Sequence, residues 1–328
     1  IPPQEDAWLG KATERIFLAP MKMTMIPEIV DMDMPVEGVF HNLVIAQIKK
    51  EYGGQGQKVM NAMWGAGQMM FNKILVIADE GVRIQDYEAL ARYVFANLDV
   101  VNDVAFGTGP MDVLDHSCSK LGFGGKLCID GTKKFEEEID DAGTTAGPKS
   151  LRDIVTLSLS KGALNEFPEI KSINTSLLAK DIPCIILSVE KQRPGHIKEL
   201  HNALVTSIAG MEAIKMILYV EHTVDANDLP VALWRFCNNL DPKRDSLLVQ
   251  QASPTEPGKR MACLGLDGTR KTKELDGFHR DWPNIIVAAD ATIVAVDKKW
   301  ERLGLGKFIP SPSLKFKHQV YGEEAVVS

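Results

Sequence analysis

The chain has 328 residues, 45% of them hydrophobic and 25% charged, with a net charge of −7 and a pI near 5.6. These values describe a globular chain long enough for two cores, and the acidic balance argues against a nucleic-acid partner, which leaves a basic footprint. No apolar run reaches the roughly 18 residues of a membrane span, and Ile1-Pro2-Pro3-Gln4-Glu5-Asp6 has neither the basic nor the apolar region of a signal peptide.

In chain order, a helix is predicted near Asp6 to Phe17. Leu43 to Lys49 is a short apolar run and reads as a buried strand, broken by Gly53-Gly54. Gln55 to Phe71 has helical spacing, with Val59, Met63 and Met70 on one face. Lys73 to Ala78 is a second near-continuous apolar run, as expected of a parallel strand covered on both faces. Ile84 to Leu98 reads as a helix and Asp103 to Phe106 as a third strand. The glycines of Gly122-Phe123-Gly124-Gly125 read as a loop, either plainly flexible or letting backbone approach a ligand or subunit. Residues 135–149 are acidic, then rich in Gly, Thr and Pro, and form the candidate linker.

The order then repeats. A helix is predicted near Leu151 to Leu164, a strand at Ile182 to Val189 and a helix at Ile197 to Met211. A strand follows at Lys215 to Val220 and a helix at Asp228 to Leu240. The tail holds a strand or helix around Ile285 to Val296, a short helix at Lys298 to Leu305 and a loose end beyond Pro310.

The repetition is in the residues too. Pro27-Glu28-Ile29 recurs as Pro168-Glu169-Ile170, and Asn61-Ala62 as Asn202-Ala203. Lys73 meets Lys215, Asn97-Leu98-Asp99 meets Asn239-Leu240-Asp241, and Asp130-Gly131-Thr132-Lys133-Lys134 meets Asp267-Gly268-Thr269-Arg270-Lys271. A colinear series at nearly constant spacing means an internal duplication. The expected architecture is two tandem three-layer α/β modules, each with a mainly parallel sheet. The first covers 1–134 and the second 150–280, with a closing segment at 281–328.

Chemistry is harder to find. Gly54 and Gly56 follow a strand, but Val59 stands where a dinucleotide fingerprint needs its third glycine. The Gly-Lys pairs lack the rest of a phosphate loop. None of the seven histidines has the spacing of a metal site, and the five cysteines include no Cys-x-x-Cys, which fits reduced thiols in a cytoplasm. Glu37 and His41, just before a strand, form either a site or interface, or a capped turn. Met60, Met63, Met69 and Met70 beside Trp64 and Phe71 are either core packing or the wall of an apolar pocket. From the residues alone the chain shows architecture and no active site.

One stretch resembles a known family. PEIVDMDMPVEGVFHNLVIAQIKKEYGGQGQKVMNAMWGAGQMMFNKILVIADEGV (27–82), with PPQEDAWLG before it and GGKLCIDGTKK after it, resembles the C-terminal domain of the UbiD-like decarboxylases. These are prenylated-flavin-dependent carboxy-lyases of the 3-polyprenyl-4-hydroxybenzoate and menaquinone-biosynthesis type. The tail from Asp290 to Trp300 resembles the family's closing segment, and the second copy resembles the extra module of its longer members.

The resemblance implies non-oxidative decarboxylation of an aromatic acid of quinone biosynthesis, with a glutamic acid as proton donor. It also implies that the catalytic Glu-Arg-Glu set, the prenylated FMN, a divalent Mn or Mg and potassium belong to an N-terminal domain. That domain's E-G-P-x-G-[DE] motif is absent here, and Glu37-Gly38 is not it. The chain would then be the half that closes over the flavin and makes subunit contacts in a homo-oligomer, inactive alone and without catalytic, cofactor or metal residues of its own. A first residue other than Met fits a processed chain or fragment. By position, Met69, Met70 and Phe71 with Met111, Asp112 and Val113 would face the substrate. The second copy, lacking a counterpart of Pro35-Val36-Glu37-Gly38 and of the Met-rich wall, is expected to be structural and to pack as an internal pseudo-dimer. The alternative is a stand-alone α/β binding or assembly protein with this fold.

Overall fold

The computed structural model describes residues 4–139, 166–208, 210–252, 260–321 and 326–327. The helix expected near Leu151 to Leu164 and most of the expected linker lie outside the described residues.

A 21-residue helix, α1 (Gln4–Thr24), leads into the first sheet and is longer at its end than the apolar spacing suggested. The sheet is built from β1 (Ile29–Asp33), β2 (Leu43–Ile48), β3 (Ile74–Asp79), β4 (Val104–Pro110) and β5 (Phe123–Asp130). Their order is β1-β2-β3-β5-β4. The three central strands are parallel, with Leu43 opposite Ile74 and Ile74 opposite Leu127, and each edge strand is antiparallel to its neighbour. Between them lie α2 (Gln55–Trp64) and α3 (Tyr87–Asn97). Gly54, at φ +75, turns β2 into α2, and Asp86 caps α3 by accepting the Ala89 N–H at 3.1 Å.

Two expectations need correction. The single helix Gln55 to Phe71 ends at Trp64, and Gly67–Phe71 is a separate 3-10 turn. Gly65 and Gly67 supply the break, the latter at φ +48. The glycine-rich stretch at Gly122 to Gly125 is mostly strand rather than loop: Gly124 and Gly125 lie within β5, buried in the sheet. Their small size serves packing, because a Cβ on Gly124 would lie 2.4 Å from Cys118 Sγ and one on Gly125 2.2 Å from Asp241 Oδ1.

The second module repeats the first element by element. It contains β6 (Ile170–Asn174), β7 (Cys184–Val189), α4 (His196–Ser207), β8 (Met216–Glu221), α5 (Leu229–Asn239), α6 (Pro242–Asp245), β9 (Ser246–Ala252), β10 (Arg260–Asp267) and α7 (Lys273–Asp276). Its strand order, β6-β7-β8-β10-β9, is that of the first sheet. Even the register irregularity recurs, between Ile29 and Asp31 in one copy and Ile170 and Ser172 in the other. Each module has its own core, around Met32, Val59, Met63 and Met69 in the first and Ile185, Leu200, Leu204 and Tyr219 in the second.

The modules pack on each other reciprocally. Lys73, just before β3, donates to the Asn238 carbonyl at the end of α5 (3.3 Å). Its counterpart Lys215, just before β8, donates to the Phe95 and Leu98 carbonyls at the end of α3 (2.8 and 2.7 Å). Each ammonium thus satisfies carbonyls that the other module's helix leaves unpaired, where the helix dipole favours a cation. α5 packs on the first module's Val36–Gly38 turn, and α3 reaches the matching turn, Leu178–Lys180, through Glu88–Lys180 (2.7 Å). This is the internal pseudo-dimer.

Residues 281–328 form a second compact unit. In it β11 (Val287–Ala288) pairs in parallel with β12 (Val326–Val327), and α8 (Asp290–Asp297), α9 (Trp300–Leu303) and α10 (Ser313–Phe316) lie between them in sequence. The expected loose end beyond Pro310 therefore carries a helix and a paired strand.

Candidate functional site

The chain enters β2 through two 3-10 turns, Val36–Gly38 and Phe40–Asn42. The joint is strained: Val39 has φ 44 and Phe40 φ 61. A β-branched residue in the left-handed region is a true outlier, at a cost of about 1–3 kcal/mol, and such strain gathers at functional sites. Gly38 allows the close return, since a Cβ there would lie 2.6 Å from that of Leu43.

This joint presents His41. Its Nε2 lies 3.0 Å from an Asp112 carboxylate oxygen, and its Nδ1 is buried with no hydrogen-bond partner. Burial holds the imidazole below its ordinary pKa, partly opposed by Asp112. At neutral pH the ring is therefore uncharged. A carboxylate only accepts, so the single ring proton belongs on Nε2, and Nδ1 is left as an unused acceptor. The Phe40 ring meets His41 edge-on at 4.5 Å, and the Phe71 ring lies 5.7 Å away.

His41 lines a cleft of about 260 Å³, with Leu9 of α1, Val39, Phe40 and Leu114 as apolar wall and Asn238 contributed by the second module. Beneath it lies a buried ion pair, Lys73 with Asp115 at 2.8 Å. Burial would raise the Asp115 pKa, but the Lys73 ammonium outweighs it and holds the carboxyl down to about 2. Lys126 is 1% exposed, donates to the Met70 and Asn72 carbonyls at 2.6 and 2.7 Å, and is pushed down to about 8 by burial. Cys118, pushed up to about 12 by burial, is a thiol and no nucleophile.

The loop that carries Asp112 is clamped from the second module. Arg244 donates to the Ser117 carbonyl (2.7 Å) and Arg280 to that of Cys118 (2.6 Å). The counterpart connection in the second copy is shorter, seven residues between Ala252 and Arg260 against twelve between Pro110 and Phe123.

The residues singled out in the sequence fall in different places. Met69 is fully buried in the first core, and Met111 is buried against Lys126, its Sδ 3.6 Å from Nζ. Met70 and Phe71 are half-buried, while Val113 is 69% exposed. Glu37 is half-buried in the turn against which α5 packs, and the carboxylate on His41 is that of Asp112. A search at the carboxyl ends of the strands could not find this cleft, which lies at the amino end of β2. The legible signal was the short Asp112–Asp115 stretch that the second copy omits.

The family model of the 3-octaprenyl-4-hydroxybenzoate carboxy-lyase C-terminal domain matches residues 7–131 and 151–267, one block in each module. An uncharacterized protein of Helicobacter pylori strain J99 is 33% identical over 285 residues, covering 86% of this chain and 41% of that protein. One of Archaeoglobus fulgidus is 51% identical over 138 residues, covering 42% of this chain and 28% of that protein. The chain thus spans less than half the length of these relatives. Among solved structures, the UbiD-class enzyme HmfF of Pelotomaculum thermopropionicum in complex with FMN aligns at 21% identity and a TM-score of 0.35, over 39% of this chain and 28% of that one. Vanillic acid decarboxylase of Sedimentibacter hydroxybenzoicus aligns at 24% identity and a TM-score of 0.34, over 45% and 31%. With the family model matched over both modules, the chain belongs to the UbiD-type carboxy-lyase family, as its C-terminal domain in duplicated form.

Proposed function

We propose that this chain is the substrate-closing and oligomerising part of a decarboxylase for an aromatic acid of quinone biosynthesis, and that the cleft at His41 faces that acid. The observation that carries the reading is the His41–Asp112 pair, its imidazole buried at an apolar-walled cleft with Nδ1 left as an unused acceptor. The apolar wall suits a flat ring, while the imidazole would accept a hydrogen bond from a ring hydroxyl or an acid proton. The family's name, 3-octaprenyl-4-hydroxybenzoate carboxy-lyase, supports an aromatic acid. Five buried thiols without a disulfide support a cytoplasmic setting, and among the described residues no helix is long and apolar enough to cross a membrane.

A prenylated FMN with Mn or Mg and potassium would supply the decarboxylation chemistry. The cleft does not fit that group by itself. Its volume of about 260 Å³ is below the roughly 300–1,000 Å³ of ligand pockets, and no group of three or more His, Cys, Asp or Glu among the described residues could hold a metal ion. We therefore assign cofactor and catalytic acids to another part of the full-length protein.

The test is carbon dioxide release from a panel of aromatic acids by the full-length protein produced with a flavin prenyltransferase, beside this chain alone. Turnover in the long form only is expected. No flavin absorbance and no turnover in either form would favour a binding or assembly protein.

A further inference from the structure

At the carboxyl edge of each sheet, away from the His41 cleft, lies a hollow lined by equivalent residues. Gly54, Asp103, Asp130 and Lys134 line the first, and Gly195, Asp245, Asp267 and Lys271 the second. The first measures about 160 Å³ and the second about 470 Å³. Only the second reaches the size of small-molecule pockets, roughly 300–1,000 Å³.

The difference has a chemical cause. In the first module the carboxylate of Glu138 sits in the hollow. It accepts from Lys50 Nζ (2.6 Å), the Gly54 N–H at the start of α2 (2.8 Å) and the Phe135 N–H (2.8 Å). The second module keeps the counterparts of all three donors, Lys191, the Gly195 N–H and the Thr272 N–H, but Leu275 stands where Glu138 stands. Asp276, one residue later and a methylene shorter, takes Lys191 (2.7 Å) and the Thr272 N–H (2.8 Å). Among the described residues it leaves the Gly195 N–H without an acceptor, as are the Ile197 and Lys198 N–H groups of the first turn of α4.

The charges agree. Of the acids around the second hollow, Asp245 and Asp267 are engaged by Lys271 and Asp276 by Lys191. Arg244 is spent on Asp245. Lys198 and Lys273 remain at the rim, against Glu274 alone.

We infer that the second module binds the carboxylate of a small molecule where the first module binds its own Glu138. The ligand's anionic end would rest on the Gly195, Ile197 and Lys198 N–H groups beside Lys198 and Lys273, with the rest of the hollow for its uncharged part. This site is independent of the reading given to His41.

The experiment is an amide NMR titration of this chain with acetate, succinate and inorganic phosphate in separate arms. Saturable shifts at Gly195, Ile197 and Lys198 are expected with the carboxylates. Exposed Lys198→Glu should weaken binding at least tenfold, and Leu275→Glu, which restores the built-in carboxylate, should abolish it. Saturation by phosphate alone would overturn the carboxylate assignment. No saturable shift in any arm, or shifts that survive both variants, would overturn the site.

Discussion

The two modules share one strand order and a lysine just before the middle strand, Lys73 and Lys215, yet they have parted in what surrounds them. In the first, Lys73 is tied to Asp115 on a loop whose counterpart in the second is shorter, and that loop brings Asp112 to His41. In the second, Lys215 donates to the helix-end carbonyls of Phe95 and Leu98, and Asp99 and Asp103 act on it only at longer range, with no ion pair to it among the described residues. The common feature is the reciprocal packing of two modules, and the cleft belongs to one of them. Duplication allowed one copy to carry a loop while the other kept the frame that holds it, through Arg244 and Arg280.

The sharpest way to break this comparison is to remove each lysine in turn. Lys73→Met would strand the Asp115 charge at 1% side-chain exposure, at roughly 3–5 kcal/mol. Lys215→Met removes two hydrogen bonds to backbone carbonyls, at about 1–3 kcal/mol. Denaturant unfolding of both variants tests this, and equal losses would mean that the Asp115 loop adds nothing to the lysine's role.

Next in size is acid sensitivity, to which each module contributes a buried histidine held down to about 4 by burial, His116 in the first and His201 in the second. His201, whose counterpart is Met60, is fully buried; its Nε2 donates to the Cys263 carbonyl (3.3 Å), so its Nδ1 accepts from the Tyr219 hydroxyl (2.9 Å). Burial pushes its pKa down to about 4 from 6.5. The native state prefers the uncharged ring, so this contribution is complete above the ordinary histidine value and is lost as pH falls from 6.5 towards 4. A shift of this size corresponds to about 3 kcal/mol. Stability measured from pH 7 to 4 should fall, and His201→Gln should flatten the slope. An unchanged slope would place the acid-sensitive group elsewhere. The imidazole fits because Gly265 replaces the first copy's Cys128: a Cβ at Gly265 would lie 2.7 Å from His201 Nδ1.

Gly125→Ala should cost about 1–3 kcal/mol by overpacking, because β5 runs against α6 and the new Cβ would meet Lys243 N at 2.5 Å. The counterpart in β10 is already Ala262, so the reverse change, Ala262→Gly, should leave the module interface intact. Cross-protection of β5 and α6 amides in hydrogen exchange would show the difference. Smallest of all is the exposed Glu88–Lys180 pair. Glu88→Ala should change stability by less than about 1 kcal/mol, and a larger loss would make that ion pair a main tie between the modules.

The duplication and the central parallel strands were legible because both leave local marks, repeated short words and apolar runs such as Ile74 to Ala78. The edge strands were less so. Val104–Pro110 alternates weakly, and Phe123–Asp130 begins with glycines whose reason for being small, Cys118 and Asp241, lies far off in sequence. His41 was visible as a histidine before a strand. Its partner was not, because 70 intervening residues separate His41 from Asp112 and only the β4–β5 connection returns the chain to the amino end of β2. The strain at Val39 and Phe40 has no sequence signature, since neither residue is one that favours the left-handed region.

The most direct test of the central claim is kcat/KM of the full-length enzyme with His41→Asn, beside Met60→His, which copies the second module's residue into the first. If the cleft faces substrate, His41→Asn lowers kcat/KM at least about tenfold, the loss of one hydrogen bond to substrate, and Asp112→Asn shifts the pH profile. Unchanged kcat/KM and pH profile in both His41→Asn and Asp112→Asn would contradict it and make the His41–Asp112 pair a structural feature of the turn.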